Sequence, residues 1–224
     1  MHGEQAKKVI EGIYRYKLVA IVRGMESSLC QPLSEALYAG GIRLMEITFD
    51  QTGKIPFPKT ANAITALAAM WGEKMQIGAG TVLSIEQLYM AKSAGARYIV
   101  TPNTNSFIIQ EAKKLDMAVL AGAFTPSEIQ MAFEAGADFI KVFPAASLGA
   151  SYVKALRAPL GHIPMLAVGG VNEKNIQEFL QAGIAGAGVG GNLVDMKLIL
   201  QGDYDRITAL AKQYASLAGA MESF

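Results

Sequence analysis

One lysine interrupts the apolar run Phe139-Ile140-Lys141-Val142-Phe143, which follows Ala135-Gly136-Ala137-Asp138 and is stopped by Pro144. Short length, aromatic and β-branched content and these boundaries predict a strand over 139–143 rather than a helix. Alternation places Phe139, Lys141 and Phe143 on one face and Ile140 and Val142 on the other. Apolar residues on both faces mark a parallel strand covered on both sides, where a lysine needs a partner or a task. At its ordinary pKa of about 10.4 a lysine is protonated at neutral pH and is no nucleophile. Burial among phenylalanines favours the free amine, which can attack a ketone and form a Schiff base. A buried ion pair, or a side chain running out past the strand end, accounts equally well for this one strand.

A second inward polar residue is Glu46 in Leu44-Met45-Glu46-Ile47-Thr48, where Leu44, Glu46 and Thr48 share a face. A carboxyl beside a Schiff-base lysine can carry protons to and from the reacting carbon and its hydroxyl. An ion pair with Lys141 is its alternative, of doubtful net value to stability.

The elements that must hold these two residues repeat along the chain. Ala39-Gly40-Gly41, Ala94-Gly95-Ala96, Ala135-Gly136-Ala137 and Ala182-Gly183-Ile184 each put glycine where a helix ends, just before an apolar run. Strands are predicted at Leu18 to Val22, Leu44 to Thr48, Gln76 to Ala79, Tyr98 to Val100, Ala118 to Ala121, Phe139 to Phe143, Met165 to Val168 and Gly186 to Val189. Helical patterns lie between them, among others Thr60 to Trp71, Ile85 to Ala94, Ser106 to Leu115, Pro126 to Glu134 and Asn172 to Gln181. About eight such units with short turns and no break in composition predict a (β/α)₈ TIM barrel in one α/β domain spanning 1–224. A doubly wound open sheet is the competing architecture, but the first strand lacks the G-x-G-x-x-G turn of a dinucleotide site.

Polar residues at strand C-termini face the mouth of such a barrel. They are Arg23, Glu46, Thr48, Thr81 after Gly80, Pro102 within Thr101-Pro102-Asn103, and Lys141. In Phe124-Thr125-Pro126-Ser127, Thr125 or Ser127 is the expected helix cap. Glycine-rich turns follow the last two strands, with Gly169 and Gly170 before Val171-Asn172, and Gly190 and Gly191 before Asn192. Exposed backbone N–H groups there, with a helix N-terminus behind them, would form a phosphate cradle of the kind common in barrels.

Composition narrows the chemistry. With 51% hydrophobic and 17% charged residues the chain is globular with a large core. Twenty Lys and Arg against 19 Asp and Glu give a net charge of +1, which carries no footprint for nucleic acid or an anionic membrane. Any anion needs a local site. The single cysteine, Cys30, reads as a small packed residue near a helix start, excludes an internal disulfide framework and suits a reducing compartment. Two histidines, His2 and His162, cannot build a catalytic zinc site, so no metal or other cofactor is expected, with a carboxylate-bound Mg²⁺ left open. The first residues lack an apolar signal core, which reads as cytoplasm.

Taken together, Met45-Glu46-Ile47-Thr48, Ile77-Gly78-Ala79-Gly80-Thr81-Val82, Val100-Thr101-Pro102, Thr125-Pro126-Ser127-Glu128, Ile140-Lys141-Val142-Phe143-Pro144-Ala145 and Val168-Gly169-Gly170-Val171 resemble the class I 2-keto-3-deoxy-6-phosphogluconate (KDPG) and 4-hydroxy-2-oxoglutarate (KHG) aldolase family. The motifs keep the family's order down to Gly202-Asp203-Tyr204-Asp205-Arg206. The resemblance implies a trimeric barrel enzyme in which Lys141, in K-x-F-P-A, forms the Schiff base and Glu46, in E-[VI]-T, is the general acid and base. It further implies that Thr81 and Pro102 line the pyruvyl pocket and that Gly169, Gly170, Gly190 and Gly191 bind phosphate. Thr48 and Phe143 join the substrate-facing set.

This chain departs from the gluconate-type pattern. It reads Phe49-Asp50-Gln51 where those enzymes carry L-R-T, and it lacks two hydroxyl donors of P-T-G-G and G-G-S-W, with Asn192 as a partial substitute. The galactonate branch is nearer, sharing the first-strand arginine, T-P-N and A-V-G-G-V. There Arg23 would hold the substrate carboxylate, which a planar two-pronged donor suits; a surface salt bridge is its alternative. The expected reaction is reversible cleavage of a 2-keto-3-deoxy-6-phospho sugar acid to pyruvate and glyceraldehyde 3-phosphate. Rival readings are a KHG aldolase acting on the unphosphorylated acid, a phosphosugar isomerase or epimerase with Glu46 as base, and a non-catalytic phosphate-binding module.

Overall fold

The computed structural model describes residues 3–219; His2 lies outside them. Strands β1 (Leu18–Val22), β2 (Leu44–Thr48), β3 (Gln76–Gly80), β4 (Tyr98–Val100), β5 (Ala118–Ala123), β6 (Phe139–Val142), β7 (Met165–Val168) and β8 (Gly186–Val189) pair in parallel in chain order. Pairing of β8 with β1 closes the barrel. Helices α1 (Glu4–Tyr16), α2 (Ser27–Ala39), α3 (Phe57–Trp71), α4 (Ile85–Ser93), α5 (Ser106–Lys114), α6 (Pro126–Glu134), α7 (Gly149–Arg157), α8 (Ile176–Gln181), α9 (Met196–Leu200) and α10 (Tyr204–Ala218) lie between and around the strands. The expected (β/α)₈ barrel is the fold found.

Strand alternation divides the apolar residues into two cores. Outward residues such as Met45, Ile47, Ile140 and Val142 pack with Leu33, Leu37 and Ile64 of the helices. Inward residues Val19, Ile21, Leu44, Val100, Leu120, Phe139, Leu166 and Val168 fill the barrel together with Ala6, Val9 and Ile13 of α1. Thus α1 lays its apolar face across the end where the strands begin. Each such side chain is worth about 1.5–3 kcal/mol on burial, so this floor holds firmly.

After each of the four Ala-Gly motifs a left-handed glycine ends the helix: Gly41, Gly95, Gly136 and Gly183, with φ between +89° and +103°. In the first motif Gly41, not Gly40, takes that role. Thr125, not Ser127, caps α6, in a reciprocal capping box with Glu128. Cys30 is buried in α2. Several boundaries differ from expectation: β3 and β5 run on to Gly80 and Ala123, and α4 and α5 end one residue sooner, at Ser93 and Lys114. Strand β6 ends at Val142, leaving Phe143 in the loop, and α3 begins at Phe57 rather than Thr60. Helix α8 begins only at Ile176. Before it, Asn175 Oδ1 accepts from Asn172 N–H and Asn172 Oδ1 from Lys174 N–H, side-chain bonds that hold 172–175 in a turn instead of helix.

Candidate active site

Lys141 and Glu46 point into the barrel and are 4% and 2% exposed. A glycine stands beside each. Gly80, at the end of β3, has room for no Cβ, because one would fall on Oε1, Cδ and Cγ of Glu46. The carboxyl therefore lies over the inner wall of β3. Gly122 pairs with Lys141 across the β5–β6 ladder, and a Cβ there would run into the backbone of Pro102 and Asn103. Thr101 Oγ1 accepts from Gly122 N–H and donates to the Asn103 carbonyl, while Thr104 Oγ1 donates to the Gly122 carbonyl. The 101–104 loop is thereby fastened over β5 beside the lysine.

Neither the Lys141 amine nor the Glu46 carboxyl makes a hydrogen bond or salt bridge among the described residues. The ion pair that could have explained both residues is not formed. Burial lowers the pKa of Lys141 from the ordinary lysine value; the Arg23 charge pushes the same way and Glu46 opposes. Burial raises that of Glu46, against the pull of Lys141 and Arg23. Both shifts run towards the neutral form of the group. The Lys141 Nζ stands 4.8 Å from the centroid of the Phe143 ring.

Phe143 also lines a cavity of about 360 Å³ at the barrel mouth, with Arg23 and all five predicted phosphate residues, Gly169, Gly170, Gly190, Gly191 and Asn192. Its remaining wall includes Ile21, Val168, Val194 and Met196. Among the described residues the backbone N–H groups of Gly170, Gly191 and Asn192 donate no hydrogen bond. All three residues line the cavity. No helix starts directly behind either glycine turn, contrary to expectation. Residue 172–175 turn structure precedes α8, and Leu193 and Val194 N–H both donate to the Gly190 carbonyl before α9. The Asn192 side chain donates to the Val171 carbonyl and so ties the two loops together.

Arg23 is exposed at the rim, and no salt bridge holds it among the described residues. Thr81, half-buried, adopts φ +55° right after Gly80, and its carbonyl accepts from Gln51 Nε2. Thr81, Pro102, Thr48, Glu46 and Lys141 are not among the residues lining this cavity; Lys141 meets it through the Phe143 ring. Sequence reasoning missed Tyr98, a buried inward residue of β4. The pattern that could have found it is its alignment with Glu46 across a glycine, in the ladder Glu46↔Gly78↔Tyr98.

The family model described as KDPG and KHG aldolase matches residues 9–210. The chain belongs to the KDPG and KHG aldolase family. Among KDPG and KHG aldolase relatives, the 2-dehydro-3-deoxy-6-phosphogalactonate aldolase of Escherichia coli (strain K12) is 35% identical over 198 residues, covering 88% of this chain and 94% of that protein. A solved structure described as native KDPGal has a TM-score of 0.81 at 34% identity, over 89% of this chain and 93% of that one. The KDPG aldolase of Legionella pneumophila, solved with pyruvate captured as a covalent carbinolamine, has a TM-score of 0.82 at 26% identity, over 92% and 97% of the two chains. Like other KDPG and KHG aldolases, this protein is a lyase.

Proposed function

We propose that the protein cleaves a 2-keto-3-deoxy-6-phospho sugar acid reversibly to pyruvate and glyceraldehyde 3-phosphate, with Lys141 as Schiff-base nucleophile and Glu46 as general acid and base. The observation that carries this reading is a buried lysine with no salt bridge among the described residues, its pKa lowered, beside a cavity lined by residues whose backbone N–H groups are unbonded. The free amine attacks the C2 ketone, and the Glu46 acid protonates the departing hydroxyl, so that water leaves and an iminium and the Glu46 carboxylate remain. Glu46 as carboxylate takes the C4 hydroxyl proton, and the C3–C4 electron pair flows into the iminium as C4 departs as the aldehyde. Glu46 returns the proton to C3 of the enamine, and water hydrolyses the resulting iminium to pyruvate and free amine. Arg23 meets the substrate carboxylate, Thr48, Thr81, Pro102 and Phe143 shape the pyruvyl end, and Gly169, Gly170, Gly190, Gly191 and Asn192 receive the phosphate.

Two features of the relatives support the same reading: the galactonate aldolase named among them, and the covalent pyruvate captured in the Legionella enzyme. A homotrimer in the cytoplasm completes it, on family resemblance and cysteine usage. Sedimentation at three times the chain mass is expected, and a monomer or dimer would contradict it.

Incubation with pyruvate and borohydride should inactivate the enzyme and add the mass of reduced pyruvate to the peptide carrying Lys141. No adduct, or an adduct on another lysine, sinks the scheme. A phosphate site also predicts that the dephosphorylated substrate loses about 10²- to 10³-fold in kcat/KM, the usual worth of a set of oriented donors. Equal turnover of the two would favour the KHG-type reaction on the unphosphorylated acid.

A further inference from the structure

Strand β3 presents glycine at both of its inward positions next to Glu46, Gly78 and Gly80, and two side chains from neighbouring strands occupy the space thus left. A Cβ on Gly78 would fall on Cε2, Cζ and Cδ2 of the Tyr98 ring, so the phenol end of Tyr98 lies over β3 from the β4 side. The Glu46 carboxyl lies over Gly80 from the β2 side. Two residues along a strand is about 6.6 Å, so the phenol end and the carboxyl occupy neighbouring places on the inner wall of β3. Tyr98 is fully buried, and its hydroxyl has no hydrogen-bond partner among the described residues. Thr48 Oγ1, opposite Gly80 in the ladder, is likewise buried without a partner. Buried hydroxyls are nearly always satisfied, so an orphaned one calls for a function.

We infer that Tyr98 is a positioning residue for the proposed acid–base group, its hydroxyl donating to the Glu46 carboxylate during the reaction and so setting that group's proton affinity. The inference rests on the reading of Glu46 given above. Donation to the ionised form favours it, so the carboxylate is available as base at lower pH than burial alone would allow. The charged and titratable groups that bear on Glu46 are Lys141 from β6, Arg23 after β1 and Tyr98 from β4. Consistent with this proximity, burial first and the Glu46 charge second raise the pKa of the Tyr98 phenol well above its usual value, keeping it a proton donor.

Tyr98→Phe keeps the ring that fills the space over Gly78 and removes the hydroxyl alone. The variant should melt at or above the wild-type temperature and still be trapped on Lys141 by pyruvate and borohydride. The acid limb of its kcat profile for cleavage should move up by about one pH unit, the size of one hydrogen bond to a charged group. In a Glu46→Gln background the same substitution should change nothing further, because the pair then acts as one unit. A Tyr98→Phe profile superimposable on wild type overturns the inference, as does an equal effect with and without Glu46. Full activity in Glu46→Gln alone would instead overturn the reading of Glu46, a separate result.

Discussion

Lys141→Met abolishes pyruvate trapping and lowers kcat by at least about 10⁴-fold, because no covalent electron sink remains for the C3–C4 electron pair. The length and apolar stem of the side chain are kept, so the barrel should still close. Stability responds to pH with a sign fixed by the two buried groups. Lys141 has a lowered pKa in the fold, so the native state loses stability as pH falls from the unfolded lysine value to the folded one, and methionine removes that loss. Glu46 has a raised pKa, so the native state loses stability as pH rises from the unfolded carboxyl value through the folded one. The variant should therefore exceed wild type in acid and converge with it towards alkaline pH. Melting curves across pH check this, and parallel curves for the two proteins would show that Lys141 is already solvated or paired.

Gly80→Ala is expected to separate fold from catalysis. The added methyl meets the flexible end of Glu46 rather than backbone, so the carboxyl can swing aside at modest cost in stability. Displacing an acid–base group from its place removes most of its contribution, about 10²- to 10⁴-fold in kcat. The lysine is untouched, so borohydride should still trap pyruvate on Lys141. Exchange of pyruvate methyl protons in D₂O should slow in step with turnover, because Glu46 protonates the enamine in both. Turnover near wild type would mean that the carboxyl does not act from its position over β3.

Much of the fold was legible because parallel strands and helix ends leave strong local marks. Five strands, including Leu18–Val22 and Leu44–Thr48, begin and end where alternation and the Ala-Gly motifs put them. The inward direction of Lys141 and Glu46 followed from the same alternation. Legibility failed where side chains compete with backbone, as in the Asn172 to Asn175 turn, and where a loop rather than a helix end presents N–H groups at Gly190 and Gly191. Tyr98 escaped notice for another reason. An aromatic in a short apolar strand looks like packing until the register shows that only glycine stands between it and Glu46.

Ala6, Val9 and Ile13 of α1 pack against the inward residues at the end where the strands begin, and the cavity beside Lys141 opens at the other end. Traffic must then be sequential: a three-carbon fragment tethered to the deep amine cannot depart past its neighbour near the glycine turns. The aldehyde exits first in cleavage and enters last in condensation.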